Sequence, residues 1–362
     1  MQKYNVMKIY NTLILLSILV NLSCEDVSKK KELASDRVIH IEDSIHYSIP
    51  YLPRLCDSIE LEKRFVNIGN CTLYVELEGE GIPIVLINGG PGGTHHYFHP
   101  EFSRIKDRHR IIYYDQRGTG QSDFEKGDRY SFEQAVDDLE KLRIQLSIEE
   151  WVVCGYSYGG GLAQFYALKY PENVLGLALI SALPMFEHEH FNGDQELYIS
   201  KEEKEKKNEV IRAYIKGELK MKPFLYNLAL NGDWKRQSYY KPTKEQMIRS
   251  ALYEWHNDKE FNSIMSESYK AFNLEGVFKN CPIPTIIFEG KNDLTWGDKK
   301  AETFISNHPN AEYVLFKKSG HSIFSDEPKK FFRQLENFTH SLTSVSSNLI
   351  EKRKKVLEFN IN

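Results

Sequence analysis

One pentapeptide constrains this chain more than any other stretch: Gly155-Tyr156-Ser157-Tyr158-Gly159. The apolar run Trp151-Val152-Val153-Cys154 precedes it, and the helix-forming segment Leu162 to Leu168 follows. A serine with glycines two positions before and two after fits a very sharp strand-to-helix turn. There the backbones pass too closely for side chains, and the serine hydroxyl is lifted clear of the sheet edge. The strand–turn–helix context makes Ser157 a candidate nucleophile and fixes the surrounding architecture as strand–helix alternation.

That alternation is visible on both sides. Phe65-Val66 with Ile68, and then Cys71 to Leu77, read as a hairpin-like pair of edge strands turning near Gly69-Asn70. Ile82 to Ile87 is continuously apolar, as a strand buried on both faces should be, Arg110 to Tyr114 reads as a further strand, and Val174 to Ile180 is one more apolar strand. A helix is predicted from Ser131, as N-cap, to about Leu146. Residues 184 to 278 carry aromatic, Lys/Glu-rich helical stretches, including Lys204 to Lys220 and Lys244 to Trp255, and no convincing inner strand. Strands resume at Pro284 to Glu289 and Ala311 to Phe316, and a helix from Pro328 to Thr343 closes the pattern. The expected fold is α/β: a mostly parallel central sheet flanked by helices, split into 61–183 and 279–343, with a helical cap inserted at 184–278. Residues 344–362 read as a C-terminal extension.

A serine hydroxyl is a poor nucleophile unless a histidine takes its proton, and that histidine needs a carboxylate to fix its tautomer. In an open parallel sheet both partners belong at the carboxyl ends of later strands. Asp293, in Gly290-Lys291-Asn292-Asp293, and His321, in Ser319-Gly320-His321-Ser322, meet that requirement in order. Asp326 and Glu327 compete for the acid role, but they follow His321 too closely to sit on a separate strand end, so Asp293 is preferred. An oxyanion site needs two converging N–H donors. Tyr158, at the start of the helix after Ser157, and Gly90, in Asn88-Gly89-Gly90-Pro91-Gly92-Gly93, are the candidates.

The N-terminus reads differently. Lys3 and Lys8 precede the apolar run Leu13 to Val20 and then Asn21-Leu22-Ser23-Cys24, with Glu25-Asp26 after it. The run suits the h-region of an export signal and is short for a membrane span. It resembles a bacterial lipoprotein signal, which implies lipidation at Cys24, export to the cell envelope and attachment to a membrane. Residues 25–60 read as a polar tether and lead-in. Cys56 and Cys71 are the candidate pair for a disulfide, while Cys154 and Cys281 lie on strands as buried thiols. No C-x-x-C or His/Cys cluster points to a metal, and no G-x-G-x-x-G points to a nicotinamide cofactor. A formal charge of −4 provides no basic field for nucleic acid.

Gly89-Gly90-Pro91-Gly92, Asp115-Gln116-Arg117-Gly118-Thr119-Gly120-Gln121-Ser122, Gly155-Tyr156-Ser157-Tyr158-Gly159-Gly160 and Ser319-Gly320-His321 together resemble the proline iminopeptidase family of α/β-hydrolases. The resemblance covers roughly residues 61 to 341. It implies Ser157, Asp293 and His321 as catalytic residues and Gly90 and Tyr158 as oxyanion donors. It also implies that Asp115 and Arg117 brace the loop beside them. Tyr158 stands where the family usually has tryptophan.

That family holds a free N-terminal amine through glutamates in the cap. Here Ala251-Leu252-Tyr253-Glu254-Trp255-His256 resembles one such segment, with His256 in the glutamate's place and Glu254 two positions earlier. Ser266-Glu267-Ser268-Tyr269 resembles the other, with Glu267 displaced by one. Glu254, Trp255, Glu267 and Tyr269 are therefore the candidate substrate contacts, although Trp255 and Tyr269 would serve equally as cap core. Three functions compete: an aminopeptidase acting on short peptides, an esterase or amidase acting on a small acyl substrate, and a non-catalytic envelope binding protein.

Overall fold

The computed structural model describes residues 49–124, 130–185, 199–258, 260–295 and 300–342. Eight strands form one sheet in the order β1-β2-β4-β3-β5-β6-β7-β8. They are β1 Glu62–Asn67, β2 Thr72–Glu78, β3 Ile82–Ile87, β4 His109–Tyr114, β5 Trp151–Tyr156, β6 Val174–Ile180, β7 Thr285–Gly290 and β8 Glu312–Phe316. β1 and β2 run antiparallel to each other, and β2 antiparallel to β4; every later pairing is parallel. The chain order reverses around β3, with β4 on one side and β5 on the other. Sites on open α/β sheets form outside the carboxyl ends of strands at such a reversal.

The sequence explains the strands. β5 and β7 are buried at every position, because helices cover both faces and leave no place for a polar alternation. β1 is an edge strand and largely exposed. Helix α1, Phe132–Gln145, starts where Ser131 accepts a hydrogen bond from the Gln134 amide. Helix α2, Tyr158–Lys169, is buried along almost its whole length and follows β5 with no loop between them except Ser157. One core lies under α1 and α2. The other is rich in phenylalanine (Phe98, Phe102, Phe324, Phe331 and Phe332).

Between β6 and β7 the chain leaves the sheet. Helices α3 Lys201–Ile215, α4 Met221–Leu228, α5 Lys244–Arg249 and α6 Phe261–Lys270 build the cap region. α3 and α5 open with reciprocal capping boxes at Ser200 and Thr243. The predicted helix from Lys244 to Trp255 instead ends as a wider π turn over Ser250–Glu254, after which Trp255 is extended. Helices α7 Lys300–Asn307 and α8 Pro328–Leu342 complete the second half.

Two expectations need correction. Residues 49–60 are not simply a polar tether. Ile49 and Leu52 pack on the cap, Tyr253 donates through its hydroxyl to the Leu52 carbonyl, and Cys56 is fully buried. Cys56 and Cys71 are not bridged either. Both are buried thiols outside any disulfide: Cys56 Sγ lies 3.7 Å from His96 Nε2, and Cys71 donates to the Thr72 carbonyl. Cys24 and its signal, residues 25–48 and the extension 344–362 lie outside the described residues. Among the described residues no helix is long and apolar enough to cross a membrane.

Candidate active site

Ser157 occupies the single position between β5 and α2, with φ +55° and ψ −122°, a conformation that is costly for any residue with a Cβ. Its neighbours hold it there. The Ser157 amide donates to the Ile180 carbonyl at 2.9 Å, and its own carbonyl accepts from the amides of Gly160 and Leu183. The flanking glycines are required sterically. A Cβ on Gly155 would meet the Gly159 carbonyl at 2.4 Å, and one on Gly159 would meet the Ile87 carbonyl at 2.2 Å. The residue is only 8% exposed.

Asp293 and His321 follow β7 and β8, as expected, and are brought together: His321 Nδ1 lies 2.8 Å from Asp293 Oδ2. Burial opposes ionisation of Asp293, but the opposing charges of His321 and Lys300 and the Thr295 amide outweigh it. Its carboxyl is held well below the usual range. With the carboxylate accepting at Nδ1, the neutral ring keeps a lone pair at Nε2 to take a proton. The Tyr156 ring packs 5.1 Å from His321, and Ser181 Oγ donates to the His321 carbonyl at 2.7 Å.

The competing carboxylates have other tasks. Asp326 accepts from the amides of Gly320 and Tyr239 at 2.8 Å and from Ser238 Oγ, tying the cap to the histidine loop. Glu327 accepts from the Lys318 amide and from Ser319 Oγ.

The loop after β3 lies against the serine. A Cβ on Gly89 would come within 3.1 Å of Ser157 Cβ, and Gly90 takes φ +136°, a region open to glycine. Asn88 Nδ2 donates to the Gly93 carbonyl at 2.7 Å and closes the loop. Tyr158 is the first residue of α2, where backbone N–H groups have no partner within the helix. Its side chain points away into the core, 5.8 Å from Phe132 and 6.1 Å from Tyr269.

Asp115 reaches the chain that follows this loop: Oδ1 accepts from the His95 amide and ring, while Oδ2 accepts from the Gln121 amide of its own loop. Arg117 faces α1. It makes a two-pronged pair with Asp138 on α1, at 2.7 and 2.8 Å, and donates to Asn70, so it anchors its own loop to the helix and the hairpin.

A cleft of about 290 Å³ lies between the cap and the sheet, walled by Tyr97, Trp234, Tyr253, Glu254, Trp255 and Ser322 among others. Neither Ser157 nor His321 is a wall residue. The cleft adjoins them through Ser322, next to His321, and through Tyr97, which packs 5.7 Å from Tyr156. Glu254 and Trp255 therefore line the cleft that adjoins the histidine loop. Burial pushes the Glu254 carboxyl up to about 7 against the opposing hydrogen bond from Ser250 Oγ. Glu267 is not brought there: its side chain is 77% exposed and paired with Lys270 on the outer face of α6. Tyr269 is cap core, on the Phe261–Met265–Tyr269 stripe that docks α6 onto the sheet domain.

Two features escaped sequence reasoning. Glu289, the penultimate residue of β7, is buried beside Lys300 at 2.8 Å, and Lys300 Nζ lies 3.6 Å from Asp293. Burial raises the Glu289 carboxyl to about 7 despite that cation. The apolar run around Glu289 was the only signal. Second, Cys56, Glu76, His95 and His99, which form no sequence motif, converge in the fold.

Sheet order, serine turn and strand-end residues define a class. The chain matches the model of the alpha/beta hydrolase fold over residues 82–328, and it belongs to that family. Within it, a proline iminopeptidase of Saccharolobus solfataricus is 27% identical over 301 residues, spanning 80% of this chain and 96% of the relative. Among solved structures, an esterase from Exiguobacterium antarcticum aligns with TM-score 0.59 and 23% identity over 76% of this chain and 98% of its own. A proline iminopeptidase from Mycobacterium smegmatis aligns with TM-score 0.55 and 19% identity, over 78% and 98%. At these identities the two structures show the shared fold.

Proposed function

We propose that this hydrolase is a serine aminopeptidase that releases the N-terminal residue of short peptides. The observation that carries the reading is the 2.8 Å Asp293–His321 contact at the ends of adjacent strands, beside the strained Ser157 turn. Ser157 Oγ attacks the scissile carbonyl carbon while His321 Nε2 takes its proton. The oxyanion that forms is received by the amides of Gly90 and Tyr158. Collapse of the intermediate breaks the C–N bond, and the leaving amine takes the proton from His321. Water, deprotonated by His321, then hydrolyses the acyl-enzyme, releasing the N-terminal residue as an acid and restoring the serine. Asp293 remains ionised throughout and stabilises the imidazolium.

The exopeptidase reading rests on Glu254. A buried substrate ammonium needs a carboxylate partner, and of the two cap acids that line the cleft Asp233 is already paired with Lys207 and Arg236, which leaves Glu254, bonded to Ser250, to take that role. The same residue favours a second reading. A carboxyl pushed up to about 7 is half protonated near neutrality and accommodates an uncharged group, as an esterase or amidase requires.

A rate comparison separates them, using arylamides of proline and alanine, their N-acetylated forms and a short acyl ester. The aminopeptidase predicts a free-amine preference of about 10²-fold or more, lost in Glu254→Gln. Equal turnover of blocked and free substrates, or hydrolysis of the ester alone, selects the second reading.

We also propose that the protein is exported and lipid-anchored through Cys24. Metabolic labelling with palmitate should be abolished in Cys24→Ser; labelling that survives the substitution rejects lipidation there.

A further inference from the structure

Four metal-ligating side chains converge at a place the proposed reaction does not use. Cys56, Glu76, His95 and His99 each offer one ligand atom, and these atoms all lie within 4.8 Å of one another. All four residues are buried, three of them completely. They come from separate segments: the turn Leu55–Ser58, strand β2, and the turn His95–Phe98 with its C-cap.

The ligands are held from behind. His95 Nδ1 lies 2.7 Å from Asp115 Oδ1, and a carboxylate only accepts, so a proton sits on Nδ1 and Nε2 is the atom left to face the cluster. Without a metal, burial is outweighed by the Asp115 and Glu76 carboxylates, which hold the ring's pKa above its usual range. That Nε2 is buried, makes no hydrogen bond, and lies 3.4 Å from Glu76 Oε2. Two carboxylates flanking one imidazole in a dry site call for a positive charge between them, which a bound cation supplies in place of the ring's second proton. Glu76 is fixed in turn, Oε1 accepting from Tyr74 at 2.6 Å and Oε2 lying 3.0 Å from His99 Nε2. A carboxylate behind a histidine is the outer-shell arrangement that orients a metal ligand and raises its basicity.

We propose that Cys56, Glu76, His95 and His99 bind one zinc ion as a structural site. Thiolate, carboxylate and two imidazoles are ligands that Zn²⁺ accepts in a closed four-coordinate shell, and the sulfur disfavours magnesium and calcium. Binding releases the Cys56 thiol proton and the His95 Nε2 proton to solvent. The thiolate and the Glu76 carboxylate then balance the dication, leaving a neutral buried cluster. The ion staples the lead-in turn to β2 and to the chain that runs from Gly90 through His95, so it stiffens the loop carrying a proposed oxyanion donor.

The test uses the untagged full-length chain, loaded with Zn²⁺, exhaustively dialysed and assayed by plasma mass spectrometry. One zinc per chain is expected in the wild type and in Cys71→Ser, whose thiol lies outside the cluster. A strong chelator should lower Tm by about 5 °C or more. Replacing zinc with Co²⁺ should give a thiolate-to-cobalt charge-transfer band that is absent in Cys56→Ser. Wild-type protein that retains no zinc overturns the proposal without recourse to any variant, and leaves a protonated His95 as the cation between the two acids. Zinc retained equally by Cys56→Ser, or a cobalt band unchanged in that variant, also overturns it.

Discussion

Glu254 is where a single side chain's environment has the widest consequences. Its carboxyl is raised from about 4.5 to about 7 because the cleft wall removes it from water and Ser250 only partly compensates. A carboxyl raised in the folded state binds its proton more tightly there than in the unfolded chain. Its contribution to stability is complete below about 4.5 and is lost as pH rises through about 7. Glu254→Gln, which cannot ionise, should therefore match the wild type in Tm at pH 4.5 and exceed it at pH 8. A Tm difference that does not change with pH refutes the buried, uncompensated carboxyl. For a free-amine substrate the effect on binding has the opposite sign. KM should fall as pH rises through 7, because only the ionised acid pairs with an ammonium group.

At the scale of elements, Ser157 follows β5, Asp293 follows β7, and Asp326 shares the β8–α8 loop with His321; substitution should separate their tasks. Ser157→Ala should lower kcat by at least about 10³-fold with Tm unchanged. Asp293→Asn should cost much of the rate by releasing the His321 tautomer. Asp326→Asn weakens the bonds to Gly320, Ser238 and Tyr239. It should cost about 1–3 kcal/mol of stability, read as a lower Tm, with a smaller loss of kcat than Asp293→Asn. If Asp326→Asn abolishes activity while Asp293→Asn is fully active, the roles are reversed.

These elements also show what was legible in the sequence. Continuous apolar runs located every inner strand to within a residue or two, since only a strand covered on both faces excludes polar side chains so completely. Glycine spacing located the serine turn because the requirement is steric and local. Asp293 and His321 were legible because a parallel sheet places its loops in order. Glu267 was misplaced because a displacement of one residue on a helix turns a side chain by about 100°, here toward Lys270 and solvent. The pairing of Arg117 was not legible because its partner, Asp138, lies on α1, and no local spacing encodes such a contact. The Cys56–Glu76–His95–His99 cluster was missed for the same reason: its members share no motif and meet only after β2 pairs with β4 and the lead-in turn docks.

At the scale of the whole molecule, the cap is sewn to the loops of the sheet by main-chain bonds. The amide of Thr94 donates to the Glu254 carbonyl at 2.9 Å, that of Gly120 to His256 at 2.6 Å, and that of Asp258 to Gly118 at 2.9 Å. Isolated bridges add Gly93 to Trp255 and Thr119 to Asn257. A cap fastened along this line cannot swing away from that edge without breaking several backbone bonds at once. The consequence concerns what the enzyme spares. Under the proposed activity, a serine only 8% exposed beneath a cap tied down along one edge favours a loose chain end or a small ester over an internal peptide bond of a folded protein. An enzyme of the proposed kind would process fragments and leave intact proteins uncut.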